Sequence, residues 1–296
     1  MSSINVMNFV TGMDDSTGSR AATTPAHAAV GAEAGAPAVE EKDGAHNLLE
    51  RIRAAEFDLV REWFKPGIRV LELGGGTGYQ AAQIAALGSD VLSIDLADRH
   101  KPYHLFHPVQ DYDGYNIPAP DASVDVVFSS NTLEHVPDVG RLLRDTRRVL
   151  RPGGVALHIV PTAFWRFWNS AAVPPYALKQ ALGLQRFTPG MVEQTSPGEA
   201  ARKRGWAGMV LSALKMPFAP HGAYPSAVAE LHYFSARRWR RVFADAGFKV
   251  VDERPNHVFY TGLAVAPGIS IAWRGRIARV LGNACRVYEL KKDGQD

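Results

Sequence analysis

The chain has 296 residues, 46% of them hydrophobic, with 33 lysines and arginines against 30 aspartates and glutamates. That length suits one catalytic domain with insertions, and a net charge of +3 with a pI near 9.0 is too even a balance to argue for nucleic acid. Cys285 is the sole cysteine, which excludes an intramolecular disulfide and a cysteine-based zinc cluster; with no membrane-span run and no secretory signal, a cytoplasmic protein is expected.

Residues 1–43 are rich in Ala, Gly, Ser and Thr and poor in large apolar side chains. Such a composition does not offset its ordering entropy, so a disordered N-terminal segment is expected. Leu48, Leu49, Ile52, Ala55, Leu59, Val60 and Trp63 then recur at helical spacing, and Pro66-Gly67 ends the run.

Ile68 to Leu73 reads as a buried strand, Tyr79 to Leu87 as a helix, and Val91 to Ile94 and Val124 to Phe128 as further strands. Val139, Leu142, Leu143, Thr146, Val149 and Leu150 form a helical stripe, followed by the turn Arg151-Pro152-Gly153-Gly154 and a strand from Val155 to Val160. Strands alternating with helices predict an α/β fold with a mostly parallel central sheet.

From about 161 to 229 the pattern breaks into Pro-rich, aromatic sequence, read as a helical or irregular cap inserted in a domain spanning 44–290. Ser235 is a plausible helix N-cap, with Trp239, Val242 and Phe243 as core positions, Gly247 at the C-terminus and a strand from Phe248 to Val251. A last basic segment is expected to place Trp273, Ile277, Val280, Leu281 and Ala284 inward and Arg274, Arg279 and Arg286 largely outward, before a tail at 291–296.

The most informative run is Val70-Leu71-Glu72-Leu73-Gly74-Gly75-Gly76-Thr77-Gly78: a strand carrying an acid near its end and entering glycines. Glycine permits a sharp turn and close approach to a ligand, and the following helix presents free N–H groups. The glycines alone do not choose a cofactor, since Gly76-Thr77-Gly78-Tyr79-Gln80-Ala81 also fits a loose dinucleotide pattern.

Together with Asp95 ending the next strand, Asn131-Thr132-Leu133-Glu134-His135-Val136 and the Arg-Pro-Gly-Gly turn, this run resembles the class I S-adenosylmethionine-dependent methyltransferases over roughly Val70 to Val160. The likeness is to the Leu-Glu-His-Val group, of bacterial small-molecule and saccharide type. It implies a Rossmann-like class I methyltransferase fold, S-adenosylmethionine as cofactor, and transfer to oxygen or nitrogen of a small-molecule, saccharide or secondary-metabolite acceptor. Glu72, Gly74, Gly76 and Gly78 would surround the methionine portion, Asp95 would hold the ribose, and Asn131 counts with the cofactor residues. Asp113 is the favoured adenine contact and Asp111 the second.

His135 is the candidate general base, because imidazole titrates near neutral pH, with a helix-capping role as the competing reading. Glu134 could hold a substrate hydroxyl or sit on the helix face, the second being favoured; His158 is expected in the core, and His232 and Tyr233 could line the pocket. No metal is called for. The arginines at 237, 238, 240, 241, 274, 276, 279 and 286, with Lys291 and Lys292, could meet a membrane surface or anionic carrier, although a solvated helix face is the more ordinary reading. A nicotinamide-dependent oxidoreductase and a noncatalytic S-adenosylmethionine-binding module are the alternatives; nucleic acid is not expected as a partner.

Overall fold

The computed structural model describes residues 44–97, 105–181, 220–261, 266 and 268–294. The expected disordered segment at 1–43 and residues 182–219 of the insertion lie outside the described residues. Helix α1, Gly44–Asp58, leads into the domain and buries Leu48 and Ile52 of the expected period together with Phe57, which that period left out.

A seven-stranded sheet follows among the described residues, in the order β3-β2-β1-β4-β5-β7-β6. Strands β1 (Arg69–Leu73), β2 (Asp90–Leu96), β3 (Val109–Tyr112), β4 (Val124–Ser130) and β5 (Leu150–Pro161) run parallel. β6 (Phe248–Pro255) and β7 (Cys285–Lys292) pair antiparallel to each other, and β7 pairs antiparallel to β5. Val70, Leu71 and Leu73 of β1, Val126 to Phe128 of β4 and Val155 to Val160 of β5 are all buried, and His158 is the one polar side chain among them. Strands covered on both faces read as such continuous apolar runs.

Helix α2 (Tyr79–Ala86) joins β1 to β2 and α3 (Val139–Val149) joins β4 to β5. The strand order therefore reverses between β1 and β4, and the carboxyl ends of β1, β2 and β4 flank the crevice that such a switch point leaves for a ligand. Helix α4, Ala163–Ala181, opens the insertion, and α5, Ala227–Tyr233, closes it.

Helix α6, Ala236–Asp245, begins where the sequence places it: Ser235 accepts from the Arg238 N–H, and Gly247 follows at φ +80°. Trp239, Val242 and Phe243 are buried as expected. Helix α7, Ile271–Leu281, does not have the expected orientation. Trp273 is 58% and Val280 83% exposed, whereas Arg274 is only 5% exposed. The Arg274 guanidinium is buried because backbone carbonyls receive it, at Ile269 (3.1 Å), Phe259 (3.3 Å) and Ala266.

Two strands were not expected from the sequence. Val109–Tyr112, where only the candidate acid Asp111 was singled out, forms β3, and the stretch from Cys285 to Lys292, expected as the end of a basic amphipathic segment and a tail from 291, forms β7. Much of the basic cluster is also internally engaged: Arg240 and Arg286 both pair with Glu253, and Lys292 donates to the Leu150 carbonyl. The number of arginines thus overstates the charge available to an anionic surface. No helix among the described residues is long and apolar enough to cross a membrane.

Candidate functional site

The glycine run leaves β1 in left-handed conformations, with φ of +76° at Gly74, +54° at Gly76 and +74° at Gly78. The N–H groups of Gly74 and Gly75 both donate to the Ile94 carbonyl, at 2.8 and 3.1 Å, which fastens the loop to β2. A Cβ at Gly74 would lie 2.4 Å from Thr132 Oγ1, at Gly75 2.0 Å from Ser93 Oγ, and at Gly78 2.5 Å from the His107 carbonyl oxygen. Gly76 differs: nothing lies within 4 Å of its would-be Cβ. Three glycines let protein pack on the loop, and the fourth faces open space, where a ligand can approach the backbone.

Two acids stand beneath and beside this loop. Glu72 is 2% exposed and accepts from Ser93 Oγ at 2.6 Å. Burial pushes its carboxyl up to about 7, the Ser93 bond opposes this, and the Asp95 charge adds to the rise. Asp95 Oδ2 accepts from the Gly76 N–H and Oδ1 from the Leu96 N–H, both at 2.7 Å. It therefore shapes the loop as well as standing at the end of β2. A carboxylate has about four acceptor positions, so these bonds are compatible with holding ribose hydroxyls.

Asp111 is exposed on β3, in register with Asp95 across the strand pair. Asp113, also exposed, accepts from the Tyr115 and Asn116 N–H groups at 2.8 and 2.7 Å, and these bonds hold its pKa low. Its carboxylate forms a turn of the kind Asp favours.

At the end of β4, Asn131 adopts φ +52°, a conformation uncommon outside glycine. Its N–H donates to the Ile159 carbonyl at 2.8 Å, and its Oδ1 accepts from Cys285 Sγ at 3.4 Å. Thr132 Oγ1 donates to the Leu73 carbonyl at 3.2 Å. Next comes a 3₁₀ turn, Leu133–His135, buried throughout.

Glu134 is 1% exposed, which corrects the expectation of a helix-face residue. The reason is a cover from the insertion: the Ala223 N–H donates to the Glu134 carbonyl at 3.0 Å, and a Cβ at Gly222 would meet that carbonyl oxygen. Burial raises the Glu134 carboxyl to about 8. His135, 7% exposed, is lowered to about 4 by burial and by the Arg53 charge, so its imidazole is neutral at physiological pH. Its Nε2 stands 3.8 Å from Glu134 Oε1.

The residue that sequence reasoning missed is His221. Its ring centroid lies 5.1 Å from that of His135 and 4.7 Å from that of Trp165 on α4. Glu230 of α5 holds this segment by accepting from the His221 and Gly222 N–H groups, each at 2.6 Å, while pairing with Arg166 at 2.8 Å. No local signal marks His221; only its lodging in the aromatic insertion hinted at a role. His158 is fully buried, with Nδ1 2.8 Å from Ser129 Oγ, the core residue expected. Tyr233 stacks on Tyr224 at 4.0 Å between centroids.

The family profile of methyltransferase domains matches residues 45–253. An uncharacterised methyltransferase of Mycobacteroides abscessus is 37% identical over 125 residues, covering 39% of this chain and 46% of its own length. A malonyl-[acyl-carrier protein] O-methyltransferase of Yersinia pestis is 36% identical over 124 residues, covering 40% and 46%. The chain thus spans about half the length of these curated relatives. A crystal structure of an S-adenosylmethionine-dependent methyltransferase from Mesorhizobium loti is 17% identical with a TM-score of 0.47, covering 80% of this chain and 98% of that one.

Proposed function

The chain belongs to the methyltransferase-domain family and takes S-adenosylmethionine as its cofactor, and on that premise we propose that it transfers the cofactor's methyl group to an oxygen or nitrogen of a small-molecule or saccharide acceptor. Membership decides between the two cofactors that the glycine turn alone left open. The residues present also fit the group. Glu72 is a buried carboxylate whose neighbours Ser93 and Asp95 bring no positive charge, so the ammonium of a bound methionine portion would compensate it. Gly76 leaves the loop backbone approachable, and Asp95 stands at the end of the adjacent strand.

One observation carries the acceptor side. Thr132 is clasped to the β1 end, its hydroxyl on the Leu73 carbonyl and its side chain filling the space at Gly74. The turn bearing Glu134 and His135 is therefore fixed beside the loop assigned to the methionine portion. Bound S-adenosylmethionine supplies an already activated methyl group, so the residues have to position the acceptor, exclude water and accept a proton where one is lost. Correct placement alone contributes several kcal/mol, up to about 7–11 in well-oriented systems. Glu134 and the neutral His135 are the polar groups available for holding an acceptor hydroxyl or amine. The oxygen-directed name of the Yersinia relative supports an oxygen acceptor first.

The test is release of S-adenosylhomocysteine from S-adenosylmethionine across a panel of phenols, sugars, amines and carboxylates. Turnover with an oxygen or nitrogen nucleophile, lost on blocking that atom, is expected. Binding of S-adenosylmethionine without turnover on any member, or turnover only with carbon acceptors, would overturn the reading.

A further inference from the structure

We propose that Glu134, His135 and His221 form a binding site for one first-row divalent metal ion, zinc-like in its preference for imidazole with carboxylate. One ligand atom from each lies within 4.8 Å of the other two. Two imidazoles and one carboxylate with a coordination position left over is a donor set that zinc uses where it meets a substrate. Bond lengths of about 2.0–2.2 Å put tetrahedral ligands about 3.3–3.5 Å apart. The Glu134 to His135 separation of 3.8 Å is already near that, and side-chain rotation by about an ångström draws in the third ligand.

The second observation is that two of the three side chains keep a buried polar atom unsatisfied at the cluster. Glu134 Oε2 and His135 Nε2 are buried and make no hydrogen bond to the described residues. Burying such groups unpaired costs on the order of 1–3 kcal/mol each, so a native structure needs a reason for both. Both imidazoles are held neutral by burial, the form that coordinates a metal.

The surrounding charge permits a cation. Arg53 and Arg166 both act on this cluster, but Arg53 pairs with Glu56 and Arg166 with Glu230, each at 2.8 Å. Among the described residues Glu134 is not paired with an arginine, although the Arg53 charge reaches it. Glu230 in turn fixes the backbone at His221, the support that a ligand on a loop requires. Buried Cys285 does not join the cluster: its Sγ is engaged with Tyr260 and Asn131, and the converging ligand atoms are those of Glu134, His135 and His221. That the open position receives an oxygen of the acceptor rests on the methyl-transfer reading; the binding of the ion does not.

The experiment is titration of the full chain, without an affinity tag, with cobalt(II) and then zinc(II). We expect one ion per chain, visible d–d bands of a nitrogen–oxygen site, no thiolate charge-transfer band, and displacement of cobalt by zinc. His221→Gln and His135→Ala should each weaken cobalt binding at least about tenfold while S-adenosylmethionine binding, titrated on the same samples, stays intact and reports that they fold. No cobalt uptake by the wild-type chain, a thiolate band, or uptake unaffected by both variants would overturn the site. The spectrum of the wild type decides even if a variant fails to fold. Cobalt uptake without S-adenosylmethionine binding sinks the methyl-transfer reading alone, and the reverse result sinks the metal site alone.

Discussion

Asp95 serves the backbone before it serves any ligand, because its two oxygens hold the Gly76 and Leu96 N–H groups. Removing it therefore loosens the loop and deletes the proposed ribose acceptor together. Asp95→Ala should weaken S-adenosylmethionine binding by about tenfold or more, since charge-assisted bonds contribute roughly 1.5–3 kcal/mol each; calorimetric titration giving an unchanged Kd would end its role. His135→Ala should instead leave that Kd nearly unchanged and lower turnover by about 10² to 10⁴ on any acceptor found, the range for loss of a positioned acid–base group or ligand. Full turnover in this variant would remove His135 from the chemistry. At this scale the residues proposed for the cofactor were legible because they sit next to one another along β1, its glycines and the end of β2. The acceptor side was not. Glu134 is buried by Gly222 and Ala223, some ninety residues downstream, and a sequence shows no such cover.

The glycine turns test what an element demands apart from what its site demands. Gly76 and Gly153 both have positive φ, +54° and +76°, and neither would meet an atom within 4 Å on gaining a Cβ. Alanine at either position costs about 1–2 kcal/mol of left-handed strain. Gly153, however, lies in the turn at the start of β5, at the opposite edge of the sheet from the carboxyl ends. Gly76→Ala and Gly153→Ala should thus lower Tm by similar amounts, and only Gly76→Ala should also weaken S-adenosylmethionine binding. Equal loss of binding in both would mean that Gly76 matters to folding alone. The elements that escaped the sequence reading share a cause. β3 is an edge strand with exposed Gln110 and Asp111 and no apolar run. β7 carries Arg286, Glu289 and two lysines, which merge by composition with the basic helix before it, although pairing between β5 and β6 gives it a buried place in the sheet. α7 was turned the wrong way because a charge is expensive to bury, a rule that carbonyls around Arg274 satisfy locally.

Across the whole molecule the buried titratable groups oppose one another, and this sets how stability follows pH. Burial lowers His135 to about 4 and His158 and His221 to about 3, from an ordinary 6.5. The unfolded chain therefore binds more protons at these sites below about 6.5, so stability falls as pH falls from there toward 4. Glu72 and Glu134 are shifted the other way, from 4.5 to about 7 and about 8, and Glu230 and Glu289 are raised as well. Their contribution is fully present below about 4.5 and is lost as pH rises to about 8, because the folded state holds protons that the unfolded chain has released. Thermal melts of the metal-free chain should accordingly show a maximum at weakly acidic pH, with an acid limb owed to the histidines and to Asp125, Asp145 and Glu253, whose arginine partners hold their pKa values low, and an alkaline limb owed to the buried carboxylates. Glu134→Gln removes the carboxyl raised furthest above its ordinary range, to about 8, with little change of volume, so it should flatten the alkaline limb and leave the acid limb alone. S-adenosylmethionine should flatten the same limb through Glu72, because its ammonium stabilises the ionised carboxylate. Alkaline limbs of equal slope in wild type and Glu134→Gln would mean that Glu134 is ionised in the free protein, compensated by more positive charge than Arg53 supplies.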